Sequence, residues 1–293
     1  MKRTLTSTNL SGAAIALLLP VASLAADLKP EAVKAWQEYI EEKNAAVQSA
    51  TDERFLLMTV RDSWAELRSG KMIVAPAGPN MPKRVPSGLI HDWIGTAFIP
   101  HAALPQVLAA VRDYDRYKDV YRPSVVDSRL GSVTEDEDRF SLLLMNRSLF
   151  VKKALEGDYR ASYFRLDDRQ WYSIAGSTRI QEIEGYGGAE AHLLPEGEGT
   201  GLIWSAHSIT RLEERDGGVL IQFEAMVLSR DIPAALRWMV DPVVRRVSRE
   251  SLQLSLQQTR DAVQSNVAHA APSAPVPQRR QADTPNSAAL SYR

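Results

Sequence analysis

The residues able to do chemistry are scattered through this chain. His91, His101, His192, His207 and His269 stand singly; there is no H-E-x-x-H and no pair at helical spacing, so no metal site is expected. His207 alone falls mid-strand near the expected sheet centre. It reads as a half-buried histidine with one backbone or water partner, or more sharply as a general base. The acidic groups Glu135 to Asp138, Glu182/Glu184 and Glu213-Glu214 sit at turns or strand ends, where charge costs least, and read as surface. Glu224 differs: alternation puts it mid-strand, on the face opposite Ile221 and Phe223. The expectation there is a solvent- or preface-facing ion pair with Arg211, contributing roughly 0.2–1 kcal/mol. No G-x-S-x-G places a serine at a nucleophile elbow. The run G-E-G-T-G at 197–201 is followed by a strand rather than a lysine or a helix start, and reads as a glycine-rich connection, not a phosphate loop. With no cysteine, thiol catalysis, thiolate metal sites and disulfides are excluded. No catalytic set and no cofactor are expected.

Another set of side chains is suited to holding an apolar molecule. Tyr172, Ile174, Trp204, His207 and Phe223 fall on strands expected to line the inner face of a sheet. The phase of the strand containing Trp204 is ambiguous, and placing Trp204 inward is the reading adopted. In the last helix one stripe runs Val240, Val244, Val247, Ser251, Leu254, Gln258. Polar groups in line with an apolar seam either mark its exposed end or meet water or a ligand head group. Ser251 and Leu254 complete the expected ligand-binding set.

The positioning elements follow from periodicity. Residues 28–69 carry apolar positions at helical spacing, among them Trp36, Tyr39, Ile40, Trp64 and Leu67. Four prolines punctuate 75–88. Strands are expected at 89–99, 125–133, 139–147, 157–166 and 170–183, with a short amphipathic helix through Leu104, Val107, Leu108 and Val111. After a glycine-rich loop come strands at 201–213 and 219–229, joined by the tight turn E-R-D-G-G. Asp231 before Pro233 and Asp241 before Pro242 read as helix starts, the second opening a final helix to about residue 264. Strands segregated from helices indicate an α+β domain.

The first residues read as an export signal: Lys2 and Arg3, the apolar stretch Ala13 to Leu19, then Ser23-Leu24-Ala25. Cleavage after Ala25 removes two positive charges from a formal net charge of −1. The division expected is 1–25 signal peptide, 26–75 helical extension, 76–87 proline-rich linker, 88–267 main domain and 268–293 disordered tail. No further segment has the roughly 20 apolar residues a membrane helix needs, so no integral membrane segment remains after cleavage. A periplasmic location is the simplest expectation, with secretion the alternative. Interspersed charges give no stripe for phosphates, and no nucleic-acid partner is expected.

Two segments carry a family resemblance: V-L-A-A-V-R-D-Y-D-R-Y-K-D-V-Y-R-P, after the first strand of the main domain, and L-S-R-D-I-P-A-A-L-R-W-M-V-D-P, before the last helix. They resemble the helix pair and the strand-to-final-helix joint of the START-like (SRPBCC, helix-grip) superfamily, which includes lipid-transfer domains and polyketide cyclases. The resemblance spans about 88–265 and implies a curved antiparallel sheet wrapped around a long C-terminal helix. The implied function is an exported carrier of a hydrophobic or amphipathic, lipid-like small molecule. The alternatives are a cyclase/aromatase-type enzyme using side chains such as His207 and Tyr172, and an assembly protein whose core is filled by side chains.

Overall fold

The computed structural model describes residues 26–50, 55–56, 60–147 and 152–267. The expected export signal and the expected tail lie outside these residues. The chain opens with β1 (Ala26–Asp27), α1 (Pro30–Gln48) and α2 (Val60–Arg68), followed by β2 (Ile73–Pro76), β3 (Lys83–Val85) and β4 (Gly88–Pro100). Then come α3 (Leu104–Val111), a 3-10 turn at Tyr114–Arg116, α4 (Tyr117–Val120), β5 (Val125–Val133), β6 (Asp138–Arg147), β7 (Lys152–Arg165) and β8 (Gln170–Glu184). Short strands β9 (His192–Leu193) and β10 (Glu198–Gly199) lead to β11 (Ser205–Arg215), β12 (Gly218–Arg230) and the closing helix α5 (Ala234–Val267).

Ten strands form one antiparallel sheet in the order β2-β4-β12-β11-β8-β7-β6-β5, with β3 added to β4 and β9 to β8. The 76–87 segment therefore contributes to the sheet edge: β3 pairs Lys83 with Ile90 and Val85 with Gly88. The β11–β12 turn places Asp216 and Gly217 at φ 50° and 79°, the left-handed geometry of a two-residue hairpin. At the far edge β5 carries register shifts between Val125 and Asp127 and between Leu130 and Ser132.

Each face of the sheet has its own cover. α5 crosses β4 at Gly95, where an added Cβ would sit 2.6 Å from Leu256 Cδ1 and 3.0 Å from Leu252 Cγ. On that side Leu252, Leu256 and Val263 are buried, with Leu256 and Val263 packing among Ala97, Ile99, Leu212, Ile221 and the α3 residues. α1 covers the other side, where Trp36, Tyr39, Ile40 and Val47 form one core with Ile90, Ile174, Ile209, Met226 and Leu228. The α+β helix-grip architecture, with its N-terminal helices, is as expected. One helix start differs. α5 begins at Ala234 and continues through Pro242, so Pro242 opens no new helix; instead it leaves the carbonyl four residues back without its usual donor.

Candidate functional site

The covers are unequal, and burial along the strands shows it. On β12, Gln222, Glu224, Met226 and Leu228 are buried beneath α1, while Phe223, Ala225 and Val227 on the α5 side are only half-buried. β11 repeats this: His207, Ile209 and Arg211 are buried, whereas Ala206, Ser208 and Thr210 are half-buried. On β4 the half-buried residues are His91 and Trp93, between buried Ile90, Asp92 and Ile94. Strands in the middle of a sheet leave such a row partly open only when the covering helix does not seat against it. α5 seats at Leu252, Leu256, Thr259 and Val263; no residue from 234 to 251 is buried. The result is a trough with a mostly apolar floor between the sheet and the first half of α5.

Tyrosines wall the far end of this face. Tyr114 stacks on Phe140 with ring centroids 4.1 Å apart, and Phe140 stacks on Tyr159 at 5.3 Å. Tyr163 and Tyr114 share a 2.8 Å hydroxyl hydrogen bond, and Tyr114 donates to Asp138 Oδ2 at 3.1 Å. Arg112 holds Asp138 with both arms of its guanidinium, at 2.9 and 2.7 Å, and lies over the Tyr163 ring. Tyr121 is hydrogen-bonded to Thr259 of α5 at 2.9 Å. Desolvation raises the phenols of Tyr114, Tyr117, Tyr121, Tyr159 and Tyr163 above their ordinary value, yet Tyr117, Tyr121, Tyr159 and Tyr163 keep accessible surface. Neutral hydroxyls on an apolar wall can orient a polar group of a bound molecule without an ion's desolvation cost.

The seven residues expected to bind ligand do not form one lining. Phe223 lies on the trough floor. Tyr172, Ile174 and His207 lie across the sheet, because Tyr172 pairs with Arg211, Ile174 with Ile209 and His207 with Met226 in the row facing α1. Trp204 joins them, packed in the core with Trp36 and Tyr39, so its inward placement is corrected. Leu254 is 40% exposed, since two residues beyond sheet-facing Leu252 is about 200° round a helix. Ser251, about 100° from Leu252, is exposed on the flank. His207 is held by α1: its Nε2 lies 2.9 Å from Asn44 Oδ1, and burial lowers its pKa to about 4. Tyr172 stacks on Phe164, and burial pushes its phenol up to about 12.

The α1 side holds a second concentration of polar groups. Lys43 Nζ lies 2.7 Å from both Asp92 Oδ2 and Glu224 Oε1, Arg211 Nη1 lies 3.0 Å from Glu224 Oε2, and Tyr39 donates to Asp92 Oδ2 at 2.7 Å. Arg211 and Glu224 do pair, as expected, but beneath α1, at 2% and 0% side-chain exposure. Burial opposes the Lys43 charge, but Glu224 and Asp92 outweigh it and raise its pKa. Burial, and then Glu224, raise Asp92. These groups clamp α1 to the sheet. Among the described residues no group of three or more metal-ligating side chains is assembled.

No family model matches this chain, and no curated protein matches it. Solved structures do. A STAR-related lipid transfer protein from Xanthomonas axonopodis is 17% identical, with 66% of this chain and 98% of that one covered and a TM-score of 0.41. The Zhui aromatase/cyclase from Streptomyces sp. R1128 is 12% identical, covering 61% and 96%, with a TM-score of 0.39. Human STARD10 is 9% identical, covering 75% and 86%, with a TM-score of 0.42. The fold is START-like. The strand order and α5 lying across the sheet carry this likeness, which is one of architecture alone. The sequence reading missed most of the side chains that line the trough. Tyr114, Tyr117, Tyr121, Tyr159 and Tyr163 were legible only as a tyrosine-rich D-Y-D-R-Y-K-D-V-Y segment and as odd-numbered aromatics of β7. The open phase of β11 and β12 carries no signature in residue type.

Proposed function

We propose that this protein is an exported carrier that holds a hydrophobic or amphipathic, lipid-like small molecule in the trough between the sheet and α5. One observation carries the reading: the inward-facing residues of β4, β11 and β12 alternate half-buried with buried, so a central apolar floor is left unfilled. An apolar molecule laid there removes that floor from water at roughly 25 cal/mol per Å² before ordering costs. The hydroxyls of Tyr163 and Tyr121 fit a single polar end. The expected signal at 1–25 supports export to a periplasm.

Native mass spectrometry of protein made by periplasmic expression, with lipid extraction of the same sample, tests this. A stoichiometric adduct that extracts as a lipid or isoprenoid is the expected result, and Ala225→Trp, which fills the floor, should abolish it. A clean mass that also takes up no fatty acid added in excess would sink the carrier reading.

A second reading, a cyclase-type enzyme, is favoured by the chain Tyr163–Tyr114–Asp138, in which a proton could pass from the trough wall to the carboxylate that Arg112 holds in place. It would use Tyr163 rather than His207 or Tyr172, and Tyr163→Phe would stop turnover while only weakening ligand uptake.

A further inference from the structure

The first half of α5 is unusual for a helix in the middle of a fold. Trp238 is 79% exposed, the most exposed large apolar side chain among the described residues, and its neighbour Met239 is 41% exposed. Ala235, Trp238, Met239, Pro242, Arg246 and Arg249 are all exposed and share one flank of the helix. An indole left in water on a rigid helix wants a half-apolar, half-polar environment.

The charge beside it is one-sided. Arg237, Arg245, Arg246 and Arg249 lie along this half of α5, and the exposed Lys83 and Arg84 stand on the facing strap. Asp231, Asp241 and Glu250 oppose them, and two of these are already engaged: Asp231 by Arg237, and Glu250 by Arg246 at 2.8 Å. Arg84 and Arg249 make no ion pair among the described residues. Between strap and helix lies a hollow of about 450 Å³ lined by Lys83, Arg84, Leu89, Arg237, Asp241 and Arg245. Arg245 spans it, donating to the Met81 carbonyl at 2.7 Å. The whole chain carries a formal net charge of −1, so this basic surface is local.

We propose that this surface docks the protein on an anionic phospholipid bilayer. Trp238 and Met239 enter the interfacial layer, where indoles concentrate. Arg84, Arg245 and Arg249 meet the lipid phosphates, and the hollow takes a head group. A free phosphate would engage the arginines but leave the indole in water. A second copy of this chain would oppose like charge to like charge. The docking is independent of the carrier reading, since the trough floor plays no part in it.

Vesicle co-sedimentation tests it, using the chain from Ala26 onward, which holds every described element and lacks the apolar 13–19 stretch that would itself enter lipid. Vesicles of phosphatidylcholine alone are compared with vesicles containing about one-third phosphatidylglycerol. Binding is expected only to the second, falling as salt is raised. Trp238→Ala and the double variant Arg84→Gln/Arg249→Gln should each weaken it roughly tenfold or more. Their melting temperatures should not change, and ligand adducts seen by native mass spectrometry should persist, which separates this result from the fate of the carrier proposal. Equal binding to both vesicles, no binding to either, or a Trp238→Ala variant that binds like the parent would overturn the proposal. So would a concentration-dependent dimer that Trp238→Ala dissolves, which would assign the flank to a second copy.

Discussion

At the scale of single residues, the largest consequences sit where charge is buried. Lys43 holds two carboxylates whose side chains are wholly buried, at 2.7 Å from each. Removing one partner of such a set leaves an uncompensated charge and typically costs about 3–5 kcal/mol. Lys43→Met is therefore expected to lower stability by that order in urea denaturation. Exchanging Lys43, Asp92, Glu224 and Arg211 together for apolar residues should recover much of the loss. A Lys43→Met protein as stable as the parent would show that the clamp contributes nothing. The Arg211–Glu224 pair was legible from cross-strand spacing, but its burial was not. The missed signal lay in β12 itself: Leu220, Met226 and Leu228 flank Gln222 and Glu224 on the face opposite Val219, Ile221 and Phe223, so both faces of the strand carry large apolar residues. A strand apolar on both faces is one covered on both.

At the scale of elements, α1 is part of the core rather than an appendage to it. Trp36 is 4% exposed and packs with sheet residues of β4, β8, β11 and β12. Trp36→Ala is expected to cost about 3–5 kcal/mol, read as a fall in the urea midpoint with an unchanged slope. If α1 were a detachable extension, the midpoint would stay put. α5 has a comparable dependence on Gly95. A valine there would drive its side chain into Leu252 and Leu256 and lift the seated half of the helix. Gly95→Val should lose the protection of α5 amides in hydrogen exchange before that of β8. Strand limits were readable from period and turn chemistry, as the left-handed Asp216-Gly217 turn illustrates. Which helix covers which face was not. That depends on how α1 folds back over the sheet, and the sequence shows only that α1 is amphipathic.

At the scale of the whole molecule, pH acts through two histidines, His207 buried beneath α1 and His91 half-buried on the α5 side. Burial lowers His207 and His91 to about 4; the nearby charge of Arg160 adds to the shift at His207, and Asp241 opposes it at His91. Unfolded, both would titrate near 6.5, so between about pH 6.5 and 4 the unfolded chain binds more protons. Their contribution is complete above that window and is lost as pH falls through it, at about 1.4 kcal/mol per pH unit for each histidine. Asp92, raised by burial and by Glu224, works in the opposite sense. The melting temperature is expected to drop between pH 7 and 5, and His207→Gln should flatten that slope. A flat profile in the parent would mean that neither histidine is held neutral in the fold.

The shifted register of β5 has its own consequence. β5 ends an open sheet, with Val126, Leu130 and Val133 at 38–52% exposure. A flat strand with that composition is a template on which other chains can stack. Two bulges twist it out of line, and Asp115 Oδ1 already occupies the amide of Leu130 at 2.8 Å. The proposed carrier role needs one side of the sheet to stay accessible. Here the β5 border of that sheet is blunted by the register shifts and by the Asp115 side chain on the Leu130 amide, so the apolar floor can remain open without this edge becoming adhesive.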